Sequence, residues 1–232
     1  MRIASLLLFV VLMGPAILGQ QPRPKNREDL GSICQTQGYQ TGAELGVQEG
    51  HFAHRMLSSW TSAQRYYLVD LWAHQANYND SANVDNIEQE RKFRASKARL
   101  AKFGEKPVWL RNDTVSAAHL VPDNSLDFIY VDARHDYCGV MDDLVAWWPK
   151  LRKGGLFAGH DFFTTQEYDN YVGAYKSQFD DWALCSNGSR ITGAVKGAVL
   201  DFAASVNIKK ELVYGFGAVR HAFPSWMYPF KT

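Results

Sequence analysis

The run Leu126-Asp127-Phe128-Ile129-Tyr130-Val131 constrains this 232-residue chain more than any other feature. It is apolar on both sides of an extended backbone, as suits a central strand of a parallel sheet covered on each face. Parallel neighbours need long crossovers, usually helical, so the run predicts an α/β chain. The flanking pattern agrees. Residues 42–47, 66–71 and 107–110 read as strands, and 156–158 as the start of a fifth. Helical patterns fall at 49–60, 84–103, 114–119 and 139–151, the last broken by Gly154-Gly155. A further helix is expected at 193–204, and residues 212–214 and 218–222 read as a closing antiparallel pair. Right-handed crossovers bring the carboxyl ends of the parallel strands to one edge, where ligands of such sheets bind.

The amino terminus stands apart. Arg2 precedes a run, residues 3–13, that is apolar apart from Ser5, and Gly19 supplies a small residue for cleavage. That is the layout of a secretory signal peptide. An uncleaved anchor is the alternative, disfavoured because Gly14-Pro15 interrupts a run already short of the ~20 residues a span requires. Residues 1–19 are therefore expected as a signal peptide, 20–31 (with Pro22 and Pro24) as a polar leader, and 32–232 as one domain, placed in the secretory lumen or secreted. No other segment is apolar enough to span a membrane. With 25 basic and 24 acidic residues the formal net charge is +1, so bulk charge points to no nucleic-acid partner.

Cys34, Cys138 and Cys185 lack metal-type spacing. In an oxidising compartment any one of three pairings leaves one thiol over, and three free thiols are the alternative. Sequons begin at Asn79, Asn112 and Asn187, candidate glycan positions in a secreted chain.

Two constellations carry chemistry. In the first, Glu44 ends a strand, Gly46 and Gly50 follow at a strand-to-helix turn, and Asp70 ends the next strand twenty residues past Gly50. Glycine lets the backbone approach a ligand, the helix start offers free N–H groups, and a carboxylate at that spacing suits ribose hydroxyls. The turn lacks G-x-G-x-x-G, and an acidic lead residue disfavours a phosphate but suits a ligand with an ammonium or sulfonium, so S-adenosylmethionine is expected over NAD. In the second, Asp132 ends the central strand with His135 three residues on, and His160-Asp161 follow 28 and 29 residues after Asp132. Asp132, His160 and Asp161 form a candidate set for a divalent cation, magnesium or manganese, and His135 a candidate general base on a substrate hydroxyl. The remaining histidines (His51, His54, His74, His119 and His221) have no evident partners and read as surface or satisfied side chains. Tyr78, Tyr168, Tyr171 and Trp226 are candidates for an acceptor pocket, though packing accounts for them equally well.

The segment from Asp127 through Asp132, His135 and Tyr137 to Asp143-Leu144, Gly154-Gly155 and Gly159-His160-Asp161 resembles the class I methyltransferases of the methyltransferase 24 family. The upstream Ala43 to Gly50, then Val69-Asp70-Leu71-Trp72, resemble it too, with a weaker match at Pro224-Ser225-Trp226; together the resemblance spans roughly residues 40 to 228. It implies a Rossmann-like, mostly parallel seven-stranded sheet with helices on both faces. It also implies S-adenosylmethionine as donor: Glu44, Gly46 and Gly50 at its methionine end, Asp70 on the ribose, and Asp113-Thr114 at the adenine, which makes Asn112 a poor glycan position. More distantly the chain is similar to metal-dependent catechol and sugar O-methyltransferases, from which it departs at His160, where those enzymes carry a carboxylate. The resulting expectation is methyl transfer to a hydroxyl of a small acceptor, a sugar or phenol. The alternative is a secreted binding module that keeps the fold and has lost the reaction.

Overall fold

The computed structural model describes residues 23–173, 180–217 and 223–232. Seven strands form one sheet in the order β3-β2-β1-β4-β5-β7-β6. They are β1 (Thr41–Leu45), β2 (Arg65–Asp70), β3 (Pro107–Arg111), β4 (Leu126–Val131), β5 (Leu151–Gly159), β6 (Tyr214–Phe216) and β7 (Ser225–Met227). The first five in chain order pair in parallel, whereas β7 is antiparallel to both β5 and β6. This is the expected α/β, Rossmann-like architecture.

β4 is buried at all six positions. Its side chains divide between two cores, as the period of two requires. Ile129 and Val131 join Ala43, Leu45, Leu144, Trp147 and Val199 on one face. Phe128 and Tyr130 join Leu30, Phe52, Met56, Trp60 and Leu68 on the other. The first core is closed by α4 (Thr114–Ala118), α5 (Tyr137–Trp147) and α7 (Ala194–Ser205), the second by α1 (Asp29–Thr36), α2 (His51–Ser59) and α3 (Asn86–Leu100). Removing one of these large buried side chains costs about 3–5 kcal/mol, because neighbours only partly collapse into the gap.

Three expectations need correction, and one open choice is resolved. The packed chain begins earlier than residue 32: α1 starts at Asp29, and Leu30 is fully buried. Gly31 is required there, since a Cβ would sit 2.1 Å from Ser59 Oγ where α1 crosses α2. The helix expected at 139–151 ends at Trp147, because Pro149 lies in a 3₁₀ turn (Trp148–Lys150) and Leu151 already begins β5. The closing antiparallel pair is β6 with β7, so its second strand is Ser225–Met227; residues 218–222 lie outside the described residues, as do 1–22 with the expected signal peptide. Of the open cysteine pairings, Cys138 bonds to Cys185 and Cys34 is a buried free thiol. Among the described residues no helix is long and apolar enough to cross a membrane.

Asp127, the one polar residue of β4, ties three segments together. Its Oδ2 accepts from the backbone N–H of Gln40 and Thr41 at 2.7 Å and from Thr41 Oγ1, and its Oδ1 accepts from Arg152 Nε at 2.5 Å. Burial alone would raise this carboxyl's pKa, but the two N–H groups and the guanidinium outweigh it and hold it below the ordinary value. The stability it contributes is therefore present above the unfolded-state pKa of ~3.9 and is lost as pH falls through the lower folded-state value. Asp127→Asn should lower stability at pH 7 by about 2–3 kcal/mol. The gap to wild type in urea denaturation should narrow steadily below pH 4; a constant gap would show that this carboxylate's charge is immaterial.

Candidate functional site

The strand order reverses between β1 and β4, and there the carboxyl ends of two adjacent strands open a crevice. β1 runs into Gly46, which has φ +84°, and a Cβ on it would lie 1.9 Å from the Asp132 carbonyl oxygen at the end of β4. Only glycine lets these strand ends come so close. Gly46 N–H donates to Val69 and Asp132 N–H to Leu45, so the junction is stitched on both sides. Asp70, at the end of β2, fixes the loop above: its Oδ2 accepts from Val47 and Gln48 N–H at 2.9 and 2.8 Å, and its Oδ1 from Trp72 N–H.

Beside the junction lies a cavity of about 460 Å³, lined by Gly46, Asp70, Asp113, Thr114, Asp132 and Ala133 among others. Its size is that of a small-ligand pocket. Asp113 lies at the start of α4, where its side chain accepts from Ser116 N–H. Asp143, wholly buried on α5 below this end, is pushed up to about 7, chiefly by burial.

Two residues expected at the ligand are elsewhere. Glu44 alternates with Ala43 and Leu45 and so projects into the other face of the sheet, 1% exposed. Burial pushes its carboxyl well above the usual range, which disfavours the charge that a counter-ion for a ligand would need. Gly50 precedes α2 with φ +73°, where a Cβ would meet Leu100 and Ser96 at 3.2 Å; it lets α2 approach α3 and lies outside the cavity.

The second constellation does converge. Carboxylate oxygens of Asp132 and Asp161 and a ring nitrogen of His135 lie within 4.8 Å of one another. Asp161 holds φ +56°, a strained conformation that short polar residues tolerate, just after β5. Its Oδ1 is buried without a well-formed hydrogen bond, although His160 Nδ1 stands 3.1 Å away. These donors fit a divalent cation, with His135 rather than His160 as the third member.

His135 is not placed to take a proton. Its Nδ1 is 2.8 Å from Asp80 Oδ2 and its Nε2 is 3.1 Å from Asp161 Oδ2. Burial lowers its pKa, but the two carboxylates outweigh that and raise it well above the ordinary histidine value. Trp182 Nε1 also donates to Asp80, and the indole packs against the imidazole at 4.7 Å between centroids. His160 differs: its Nδ1 faces Asp161 and Asp132, and among the described residues its Nε2 has no hydrogen-bond partner. Of the aromatic candidates, Tyr78 stands beside His135 and Arg134, Tyr168 stacks on Trp182, and Trp226 belongs to the core.

Arg27 was not foreseen at the site, and Asp80, although part of the family resemblance, and Trp182 had no role assigned to them. Arg27 Nη1 reaches Asp132 Oδ2 at 3.3 Å from the segment expected to be a detached leader. Asp80 and Trp182 lie in irregular loops 102 residues apart, where no periodicity signals an approach. The Cys138–Cys185 bond joins the first turn of α5 to the second of these loops.

The methyltransferase-domain family matches residues 43–162, from β1 to just past Asp161. This chain belongs to that family, and it is a class I, S-adenosylmethionine-dependent methyltransferase. No curated protein matches its sequence. Among solved structures it is similar to an O-methyltransferase from Bacillus cereus in complex with SAH, at 14% identity and TM-score 0.55, covering 89% of this chain and 80% of that one. It is similar to SAH-bound Podospora anserina methyltransferase PaMTH1, at 13% identity and TM-score 0.53, covering 89% and 78%. A spermidine synthase from Thermotoga maritima is similar too, at 13% and 0.52, covering 88% and 59%. At such identities the likeness is one of fold.

Gly46→Ala should cost about 3 kcal/mol of stability, from steric overlap and φ strain together. It should also weaken S-adenosylhomocysteine binding in calorimetric titration at least tenfold, while Gly104→Ala, far from any contact in spite of its positive φ, should leave binding unchanged.

Proposed function

We propose that the protein transfers the methyl group of S-adenosylmethionine to a hydroxyl of a small acceptor. The observation that supports this best is the adjacency of two features: the cavity at the Gly46–Asp132 junction, and the Asp132–His160–Asp161 cluster, of which Asp132 lines that cavity. The cavity presents a side-chain-free approach at Gly46, Asp70 for ribose hydroxyls, and Asp113-Thr114 for the adenine. The bound donor supplies an electrophilic methyl carbon on a sulfonium.

The chain's own task is to hold the acceptor oxygen in line with that carbon and to accept its proton. His160 is suited to the second part. Asp161 faces its Nδ1, and among the described residues its Nε2 has no hydrogen-bond partner. As the oxygen–carbon bond forms and the carbon–sulfur bond breaks, the hydroxyl proton passes to Nε2. His135 is a positioning residue: Asp80 holds its Nδ1, which turns its Nε2 toward Asp161. A divalent cation held by Asp132, Asp161 and His135 would lower the pKa of the acceptor hydroxyl, and the mixed oxygen and nitrogen set suits manganese better than magnesium.

Three measurements test the reading. S-adenosylhomocysteine should bind the folded protein in calorimetric titration; absence of binding would sink the proposal. Against a panel of phenolic and sugar acceptors, His160→Ala should lower turnover at least 100-fold with unchanged S-adenosylhomocysteine affinity, and full turnover would remove His160 from the role. Dialysis against EDTA should lower turnover at least tenfold, with Mn²⁺ restoring it more fully than Mg²⁺. Donor binding with no turnover on any acceptor would favour the binding-module alternative.

A further inference from the structure

A second cavity, of about 410 Å³, is linked to the first through the Asp132–Arg27 pair. Arg27, Glu28, Arg55, His160 and Phe223 are among its lining residues. Asp132 lines the first cavity, and Arg27, whose guanidinium pairs with the Asp132 carboxylate, lines the second. One side chain of the proposed transfer chemistry, His160, opens onto the second cavity and not the first.

The charge of this cavity is lopsided. Among the described residues Arg27 and Arg55 face it with only Glu28 in opposition, and Glu28 pairs with Arg55 Nη1. A guanidinium has five N–H donors in a planar fork matched to carboxylate and phosphate. Arg27 is engaged by Asp132 and the Tyr130 hydroxyl, and Arg55 by Glu28, so each retains some of its five donors for a ligand. Neither is a free surface group: the Arg27 side chain is 29% exposed and lies over the Phe52 ring, while that of Arg55 is 52% exposed. Phe223 packs near the His160 ring and, among the described residues, supplies the one large apolar surface of the wall.

We propose that this cavity is the acceptor pocket and that it selects acceptors bearing an anionic group, a carboxylate in the first instance, held by Arg27 and Arg55 while the hydroxyl to be methylated lies at His160. The proposal rests on the methyl-transfer reading above and narrows its acceptor class from any small hydroxylated compound to hydroxylated acids. Arg27 lies outside the family match and enters from the segment before β1, whereas Arg55 lies within it, so one of the two guanidiniums is supplied by the chain's own amino-terminal segment.

The test uses a matched pair of probes, 3,4-dihydroxybenzoate and catechol, which share the two hydroxyls and differ by the carboxylate. Each is titrated calorimetrically into the full mature chain saturated with S-adenosylhomocysteine. The carboxylated probe should bind at least tenfold more tightly than catechol. Arg55→Gln should reduce that preference to less than threefold, Arg55→Lys should restore part of it, and neither should change S-adenosylhomocysteine affinity by more than twofold. Arg27→Gln should reduce the preference likewise. Equal binding of the two probes, no binding of 3,4-dihydroxybenzoate to the donor-loaded protein, or a preference that survives both glutamine substitutions overturns the anionic pocket while leaving methyl transfer intact. Failure of S-adenosylhomocysteine itself to bind overturns the underlying reading instead. Arg55 is half exposed, so its variants should keep wild-type thermal unfolding, and the comparison does not depend on a damaged fold.

Discussion

The close approach of Gly46 to the end of β4 is the constraint on which the rest depends. A parallel sheet can reverse its strand order only where two neighbouring strands send their crossovers to opposite faces, and the gap so created is the natural place for a ligand. Here the gap is narrow enough that a single methyl group would close it. Asp70 holds the loop above by three backbone N–H groups, and Asp132 leaves β4 directly beneath. One carboxylate thus shapes the donor end and another begins the acidic cluster, both placed by backbone geometry at the same junction.

Around that junction the strain is concentrated. Gln48, Trp72, Asn77 and Asp161 all carry positive φ without being glycine, and all lie in loops at the carboxyl edge of the sheet. Such conformations cost of order 1–3 kcal/mol each and persist only where their surroundings over-determine them. The surroundings here are polar and well connected. Asp80 joins His135 to Trp182, and Arg134 reaches Asp136, Asn77 and the Tyr78 ring.

Much of the fold was legible because it rests on local periodicity. β4 was readable to the residue, since a doubly buried strand has no polar face to blur its ends. The strand-end acids Asp70, Asp132 and Asp161 were readable for the same reason: a carboxylate closing an apolar run stands out. Side-chain direction was not. Glu44 closes nearly the same pattern as Asp70, yet a shift of one position along a strand sends its carboxyl into the core. His135 and His160 were likewise interchangeable in sequence; what separates their roles is Asp80, delivered by an irregular loop that no spacing announces. Arg27 was hidden by its company, since a polar stretch with two prolines carries no sign that one of its side chains is drawn under the sheet edge.

The bond between Cys138 and Cys185 has a topological consequence. It closes a covalent ring of chain that includes β5, His160, Asp161 and α6 (Thr165–Val172). A single backbone break anywhere in that ring leaves both pieces attached through sulfur. The two residues proposed to handle the acceptor are thereby retained by connectivity as well as by packing, and a nicked molecule in an oxidising medium would keep every side chain of the site on one covalent body.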